Sequence, residues 1–266
     1  MIREFKFRKV YEMASRVELY AFESDSSYGE INWNAPNIVL CICKPLKASI
    51  LHHYINAVIA VSERENYRDN SDSYCEIDHD PEVTRLEQIF REYEISVEPF
   101  KAYLENAYPN GDTDANDPFY EWFVCNEDGF ELLWEKITEE VFHILFGNRT
   151  FLLQFNLALA DYLRYSSVKI PPQYLDKKGV IKRQHIPQWV KKAVYFRDQG
   201  RCVLCQKDLS GLLSTDRSLQ YDHIVPLNLW GTNDPCNIQL LCDKCNNSKS
   251  GDLIKTGLKY ASWWDY

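Results

Sequence analysis

The chain has 266 residues, 45% of them hydrophobic and 14% aromatic, enough to bury a sizeable core and too apolar for a disordered polymer. Its net charge of −9 conceals an asymmetry: residues 1–165 hold 15 Lys+Arg against 30 Asp+Glu, whereas residues 166–266 hold 15 against 9, so a phosphate backbone would be repelled by the front and attracted by the tail. The longest apolar runs, such as Ile38 to Cys43, fall far short of the roughly 18 residues of a membrane span, and the first residues lack the apolar core of a signal peptide, so a cytoplasmic protein without membrane contact is expected.

In chain order, "EFKFRKVYE" (4–12) and "VELYAFE" (17–23) alternate with period two, and "NIVLCIC" (37–43) is a continuous apolar run; all three are expected as strands. Helical spacing then takes over. Leu51, Tyr54, Ile55, Val58 and Ile59 recur at three and four residues, as do Leu133, Trp134, Ile137, Val141, Ile144 and Leu145. Further helices are expected after Asp80-Pro81 and from Phe151 to Tyr165. "SSVKIPPQYLDKKG" (166–179) breaks the periodicity with Pro171-Pro172 and a Lys-Lys-Gly turn. The expected class is α+β, with a mainly helical, acidic domain over 1–165 containing a few strands, a linker over 166–182 and a small domain over 183–266.

Several front features carry no chemistry. "DTDAND" (112–117) has the spacing of a calcium loop, but Asp117 stands where glycine is needed and Phe123 where a bidentate Glu is needed, so it reads as a solvated acidic turn. His52 and His53, without a carboxylate or cysteine at ligand spacing, read as packed or surface histidines. Of nine cysteines, Cys41, Cys43, Cys75, Cys125 and Cys236 are scattered and read as small buried hydrophobes. The role of this half is expected to be partner docking or regulation, through its acidic surface.

The tail is more specific. "HIPQWVKKAVYFRDQG" (185–200) reads as a helix entered at Pro187 and closed by Gly200, with Trp189, Ala193, Val194, Tyr195 and Phe196 buried and Lys191, Lys192 and Arg197 outward. Cys202-x-x-Cys205 follows, and 36 residues separate it from Cys242-x-x-Cys245. Two such knuckles supply four thiolates for a closed, structural tetrahedral Zn²⁺ site. Between them Asp222-His223 ends the strand-like "LQYDHI", Asn237 opens the strand-like "NIQLL", and Asn246 and Lys249 begin a helix after Cys245.

This order of residues, over about Ile186 to Gly251, resembles the HNH endonuclease family, in which many members have His at the position of Asn246. The resemblance implies a ββα-metal fold, hydrolysis of phosphodiester bonds, most readily in double-stranded DNA, and a bacterial restriction or anti-phage setting with partners that restrain the enzyme. The chemistry is consistent with the residues. His223, largely neutral at cellular pH, suits a general base. Asp222 and Asn246 offer hard oxygen ligands to one Mg²⁺-like ion, Asn237 can brace the loop and orient His223, and Lys249 can meet a phosphate as a point charge. Two other readings stay open: a zinc-stabilised nucleic-acid-binding module without catalysis, and a partner-binding adaptor. The closing Trp263 and Trp264 are expected to cover the small core.

Overall fold

A computed structural model of the chain describes residues 5–7, 9–22, 32–69, 81–110, 117–211, 219–249, 251 and 253–258. The described helices are α1 (Val10–Phe22), α2 (Pro36–Cys43), α3 (Ile50–Asp69), α4 (Pro81–Glu92), α5 (Phe100–Ala107), α6 (Pro118–Cys125), α7 (Glu127–Gly147), α8 (Arg149–Tyr165), α9 (Gln188–Arg197) and α10 (Asp243–Lys249). Short 3-10 turns lie at Pro172–Tyr174, Leu227–Leu229 and Pro235–Asn237. Among the described residues the sheet has two strands, β1 (Leu219–His223) and β2 (Ile238–Cys242), so the chain is helical with a small sheet at its C-terminal end. No described helix is long and apolar enough to cross a membrane. Trp263, Trp264 and most of the acidic turn, residues 112–116, lie outside the described residues.

None of the three expected front strands forms among the described residues: in the first, residues 5–7 are irregular and 10–12 open α1, and the other two are helices. In α1 the buried residues are Val10, Met13, Ala14, Val17 and Ala21, a spacing of three and four, while Tyr11 and Leu19 face solvent. The period-two stretch "VELYAFE" is a short window of that longer pattern. In α2 nearly every residue is apolar, so neither period shows; Pro36 in its first turn supplies the preset φ that favours a helix start.

The chain divides into two compact units, Met1–Val17 with Ile55–Val141, and Glu18–Tyr54 with Phe142–Tyr266. The division falls within α1, α3 and α7, whereas the sequence suggests a boundary at 166–182. The first unit holds an aromatic core. Phe130 meets Phe90 at 4.9 Å and 85° and Phe123 at 4.8 Å and 79°, edge to face as ring quadrupoles prefer. Asp117 caps α6 by accepting from the Tyr120 N–H at 2.9 Å. Cys125 in this unit is exposed, unlike the buried Cys41, Cys43 and Cys236 of the other.

The second unit is built on a core of Val190, Val194, Cys202, Val203, Leu209 and all of β2 except its one polar residue, Gln239, which is also buried. His52 packs here, stacked on Phe142 at 3.7 Å and accepting from the Ser49 N–H and hydroxyl; burial lowers its pKa to about 4. Helix α9 turns a different face inward from the one its pattern suggests. Val190 and Val194 are buried, whereas Trp189 and Phe196 are 37% and 66% exposed.

Arg197, expected outward, is buried. Its Nε and Nη2 donate to the two carboxylate oxygens of Asp198 at 2.9 Å, and Nη2 also reaches the Ile238 carbonyl at 2.6 Å. Asp198 Oδ2 accepts from the Leu240 N–H at 2.9 Å, so the pair ties the end of α9 to β2. A guanidinium leaves water at a cost that Nε and Nη2 offset here through three bonds, while the buried Nη1 has no hydrogen-bond partner among the described residues. Asp198→Asn is therefore expected to destabilise this unit by about 3–5 kcal/mol, by leaving a buried charge uncompensated. Urea unfolding followed by tryptophan fluorescence measures this, and a loss below about 1 kcal/mol would show that the pair does not hold α9 to β2.

Candidate active site and metal centre

The site grows from the β1–β2 hairpin and the helix that follows it. The strands pair antiparallel with Leu219 opposite Cys242 and His223 opposite Ile238. Strand β2 runs directly into α10, so the order is β, β, α. The knuckle at 202–205 docks on this hairpin through a Val203 N–H to Leu240 carbonyl bond of 3.0 Å. Its turn closes with Gln206 at φ 62°, and a Cβ on Gly257 would stand 1.6 Å from the Val203 carbonyl oxygen, so only glycine allows the chain to pass there.

Hairpin and knuckle together bring Cys202, Cys205, Cys242 and Cys245 into one cluster, with all four sulfurs within 4.8 Å of one another. Cys205 Sγ and Cys242 Sγ are 3.8 Å apart, and a tetrahedron with Zn–S bonds of about 2.3 Å requires about 3.8 Å along each edge. Burial alone raises the Cys202 thiol, but N–H groups of Cys242, Cys205 and Leu204 turned toward it bring it below its ordinary value. Four thiols at this spacing, with backbone donors directed at one of them, fit a structural zinc.

At the other end of β1, His223 is 2% exposed. Burial first, and the Arg183 charge second, lower its pKa to about 4, which keeps the ring neutral. Both ring nitrogens are engaged. Nδ1 lies 3.2 Å from Arg183 Nη2 and Nε2 lies 3.3 Å from Asn233 Oδ1. The same Arg183 nitrogen is 3.4 Å from Asp222 Oδ1, so one guanidinium reaches both Asp222 and His223. Two residues that the sequence reading omits, Arg183 and Asn233, therefore supply the contacts around the imidazole.

The other expected site residues are placed as follows. Asn237 is fully buried and holds the intervening loop: its Nδ2 donates to the Val225 and Thr232 carbonyls at 2.9 Å, and its Oδ1 accepts from the Val225 N–H at 2.9 Å. None of these bonds reaches the His223 ring. The loop is tight enough that a Cβ on Gly231 would stand 1.9 Å from the Val225 carbonyl oxygen. Lys249, expected on a phosphate, is 3% exposed; its Nζ donates to the His223 carbonyl at 2.7 Å and lies 2.8 Å from Asp222 Oδ2. A buried ammonium requires a counter-charge, and the Asp222 carboxylate is the one within reach. Asn246, three residues before Lys249 on α10, is half-buried and engages no described residue through its side chain.

Asp222 thus has two different oxygens. Oδ2 is buried against Lys249, whereas Oδ1, among the described residues, meets the 3.4 Å contact from Arg183 alone, whose side chain is 59% exposed. Oδ1 and the Asn246 amide oxygen are hard, lightly held donors of the kind that a Mg²⁺-like ion takes.

Residues 202–252 match the family model described as HNH endonuclease. No curated protein and no solved structure gives a significant match to the chain. The matched segment contains both knuckles, β1, β2, α10 and Asn233, and leaves Arg183 outside.

Proposed function

We propose that the chain is a divalent-cation-dependent endonuclease that hydrolyses phosphodiester bonds of double-stranded DNA, in a setting of restriction or anti-phage defence. One observation carries the reading: a buried, neutral His223 and the Asp222 carboxylate share one solvent-exposed guanidinium at the end of a hairpin whose four neighbouring cysteines cluster. The HNH-type segment supports a nuclease of that family in general terms.

In the proposed reaction His223 takes a proton from water at Nδ1. The resulting hydroxide forms a bond to phosphorus, and the bond from phosphorus to the 3′ oxygen breaks. A divalent cation held by Asp222 Oδ1 and Asn246 would supply neutralisation of the charge that develops on the phosphate and leaving oxygen. Arg183 covers Nδ1 in the free protein, and an exposed guanidinium is suited to moving onto a substrate phosphate, which would uncover the base. Lys249 holds Asp222 in place from the buried side rather than touching DNA. Asn237 keeps the loop between the strands folded.

The acidic balance supports separate tasks for the two units. Residues 1–17 and 55–141 hold 11 Lys+Arg against 25 Asp+Glu, while residues 18–54 and 142–266 hold 19 against 14. An acidic unit is poorly matched to DNA, and docking of a protein partner is its proposed task.

The test is cleavage of supercoiled plasmid by the full chain. Cleavage is expected with Mg²⁺ or Mn²⁺ and is expected to vanish when EDTA removes the exchangeable ion. Salt-sensitive binding without cleavage under any divalent cation would replace the reading with a non-catalytic nucleic-acid-binding module. Absence of both would leave an adaptor.

A further inference from the structure

We propose that Asn233 is a positioning residue that fixes the tautomer of His223, placing the proton on Nε2 and leaving the lone pair on Nδ1, toward Asp222 and Arg183. The proposal rests on the reading of His223 as the general base.

The orientation of the Asn233 amide is forced by its neighbours. Its Nδ2 lies 2.9 Å from two carbonyl oxygens, those of Cys43 and Lys182. Its Oδ1 accepts from the Gln184 N–H at 3.2 Å. A flipped amide would set its oxygen against two carbonyls and its NH₂ against an N–H, losing three bonds at once in a site where Asn233 is 3% exposed. The atom facing His223 Nε2 at 3.3 Å is therefore an acceptor, and a neutral imidazole satisfies it only by carrying its proton there. The opposite nitrogen gives the same answer independently. Nδ1 faces a guanidinium nitrogen at 3.2 Å, and a guanidinium only donates, so Nδ1 must be the unprotonated atom.

The platform beneath Asn233 comes from distant parts of the chain. Its backbone N–H donates to the Ile42 carbonyl at 3.0 Å, and its side chain to that of Cys43, two carbonyls at the C-terminal end of α2 that lack helical partners. The next residue, Asp234, is 1% exposed and accepts from the Ile50 N–H at 2.7 Å, at the N-terminal end of α3. The pair Asn233-Asp234 thus closes one helix and opens the next, and the two helix ends in turn hold the amide against the imidazole. With the proton on Nδ1 instead, the basic lone pair would point into the protein at Asn233, where no water can reach it. Residues 42–50, far from the matched segment in sequence, would then decide which nitrogen of the base meets the substrate.

The test uses the full-length, zinc-loaded chain labelled with ¹⁵N-histidine. Long-range ¹H–¹⁵N correlation at neutral pH reports each ring's tautomer, and the His223 signal is assigned as the one absent from His223→Gln. The wild-type ring is expected as the Nε2–H form. Asn233→Ala is expected to give a mixture of tautomers and to lower kcat for plasmid cleavage by about tenfold or more, with KM for DNA within about twofold. Asn233→Asp, which keeps an acceptor at Nε2, is expected to retain the Nε2–H form although it disturbs the same loop, so a merely structural role would not separate the two variants. A wild-type Nδ1–H ring overturns the proposal even if Asn233→Ala fails to fold. A folded Asn233→Ala with wild-type tautomer and kcat overturns it as well. Undiminished cleavage by His223→Gln would instead remove the general-base reading, and leaves the tautomer measurement standing.

Discussion

His223→Ala is expected to lower DNA cleavage by at least about 100-fold while the protein stays folded and keeps its zinc. Burial first, and the Arg183 charge second, lower the imidazole pKa to about 4, so the ring stays neutral across the cellular pH range and keeps a lone pair that can accept a proton. Truncation removes the ring but leaves the His223 carbonyl, and with it the bond from Lys249 that secures α10 to β1. Asn233 keeps its bonds to Cys43, Lys182 and Gln184. The fold should therefore survive, with a destabilisation of about 1–3 kcal/mol from the vacated volume and the lost partners. Plasmid nicking, elemental zinc and thermal unfolding measured on the same preparation separate chemistry from stability. Cleavage within tenfold of wild type by the folded variant would exclude His223 as the base.

Removing the structural metal is expected to have the largest effect on stability. A closed tetrathiolate site contributes on the order of 10 kcal/mol to folding, comparable to the whole 5–15 kcal/mol stability of an ordinary domain. Here the four sulfurs join the 202–205 knuckle to the end of β2 and the first turn of α10, which flank the strand that carries Asp222 and His223. Cys242→Ser or Cys202→Ser should abolish cooperative unfolding of residues around the hairpin, not merely slow catalysis. The purified chain should hold one zinc that survives dialysis against Mg²⁺-free buffer, and a strong chelator should release it together with the near-ultraviolet dichroism of the packed aromatics. A folded, active preparation without zinc would overturn the assignment.

A partner-docking role for the acidic unit predicts less about the nuclease than its sequence position suggests. Truncating the chain at residue 165 would remove more than that unit, because Ile42, Cys43 and Ile50 bond directly to Asn233 and Asp234, and Asn156 donates to the Cys236 carbonyl at 3.1 Å. Any test of masking or docking has to keep residues 18–54 and 142–165.

What the sequence determined by itself was whatever depends on near neighbours. The two Cys-x-x-Cys turns and the Asp222-His223 pair ending a strand are local patterns, and each implies its chemistry at fixed spacing; the short helix was legible too, although it starts at Asp243 and ends at Lys249 rather than beginning after Cys245. The long amphipathic helices α3, α7 and α8 were legible for a related reason, since a buried stripe repeated over four or five turns leaves an unambiguous period. Helices α1 and α2 were not, because a seven-residue apolar window carries too few repeats to separate helix from strand. The rest was decided by packing between distant segments. Arg197 is buried because Asp198 and the Ile238 carbonyl meet it inside the fold. Lys249 faces Asp222 because α10 folds back on β1, and Arg183 reaches His223 across 40 residues of chain. Asn233 shows the limit most clearly: a turn residue in "GTNDPCN" has no local feature that marks it, and its role follows only from the two helix ends that the tertiary fold brings beneath it. Side chains with several donors and acceptors take their function from whichever partners surround them, and for Asn233 one of those partners, the Cys43 carbonyl, lies 190 residues away.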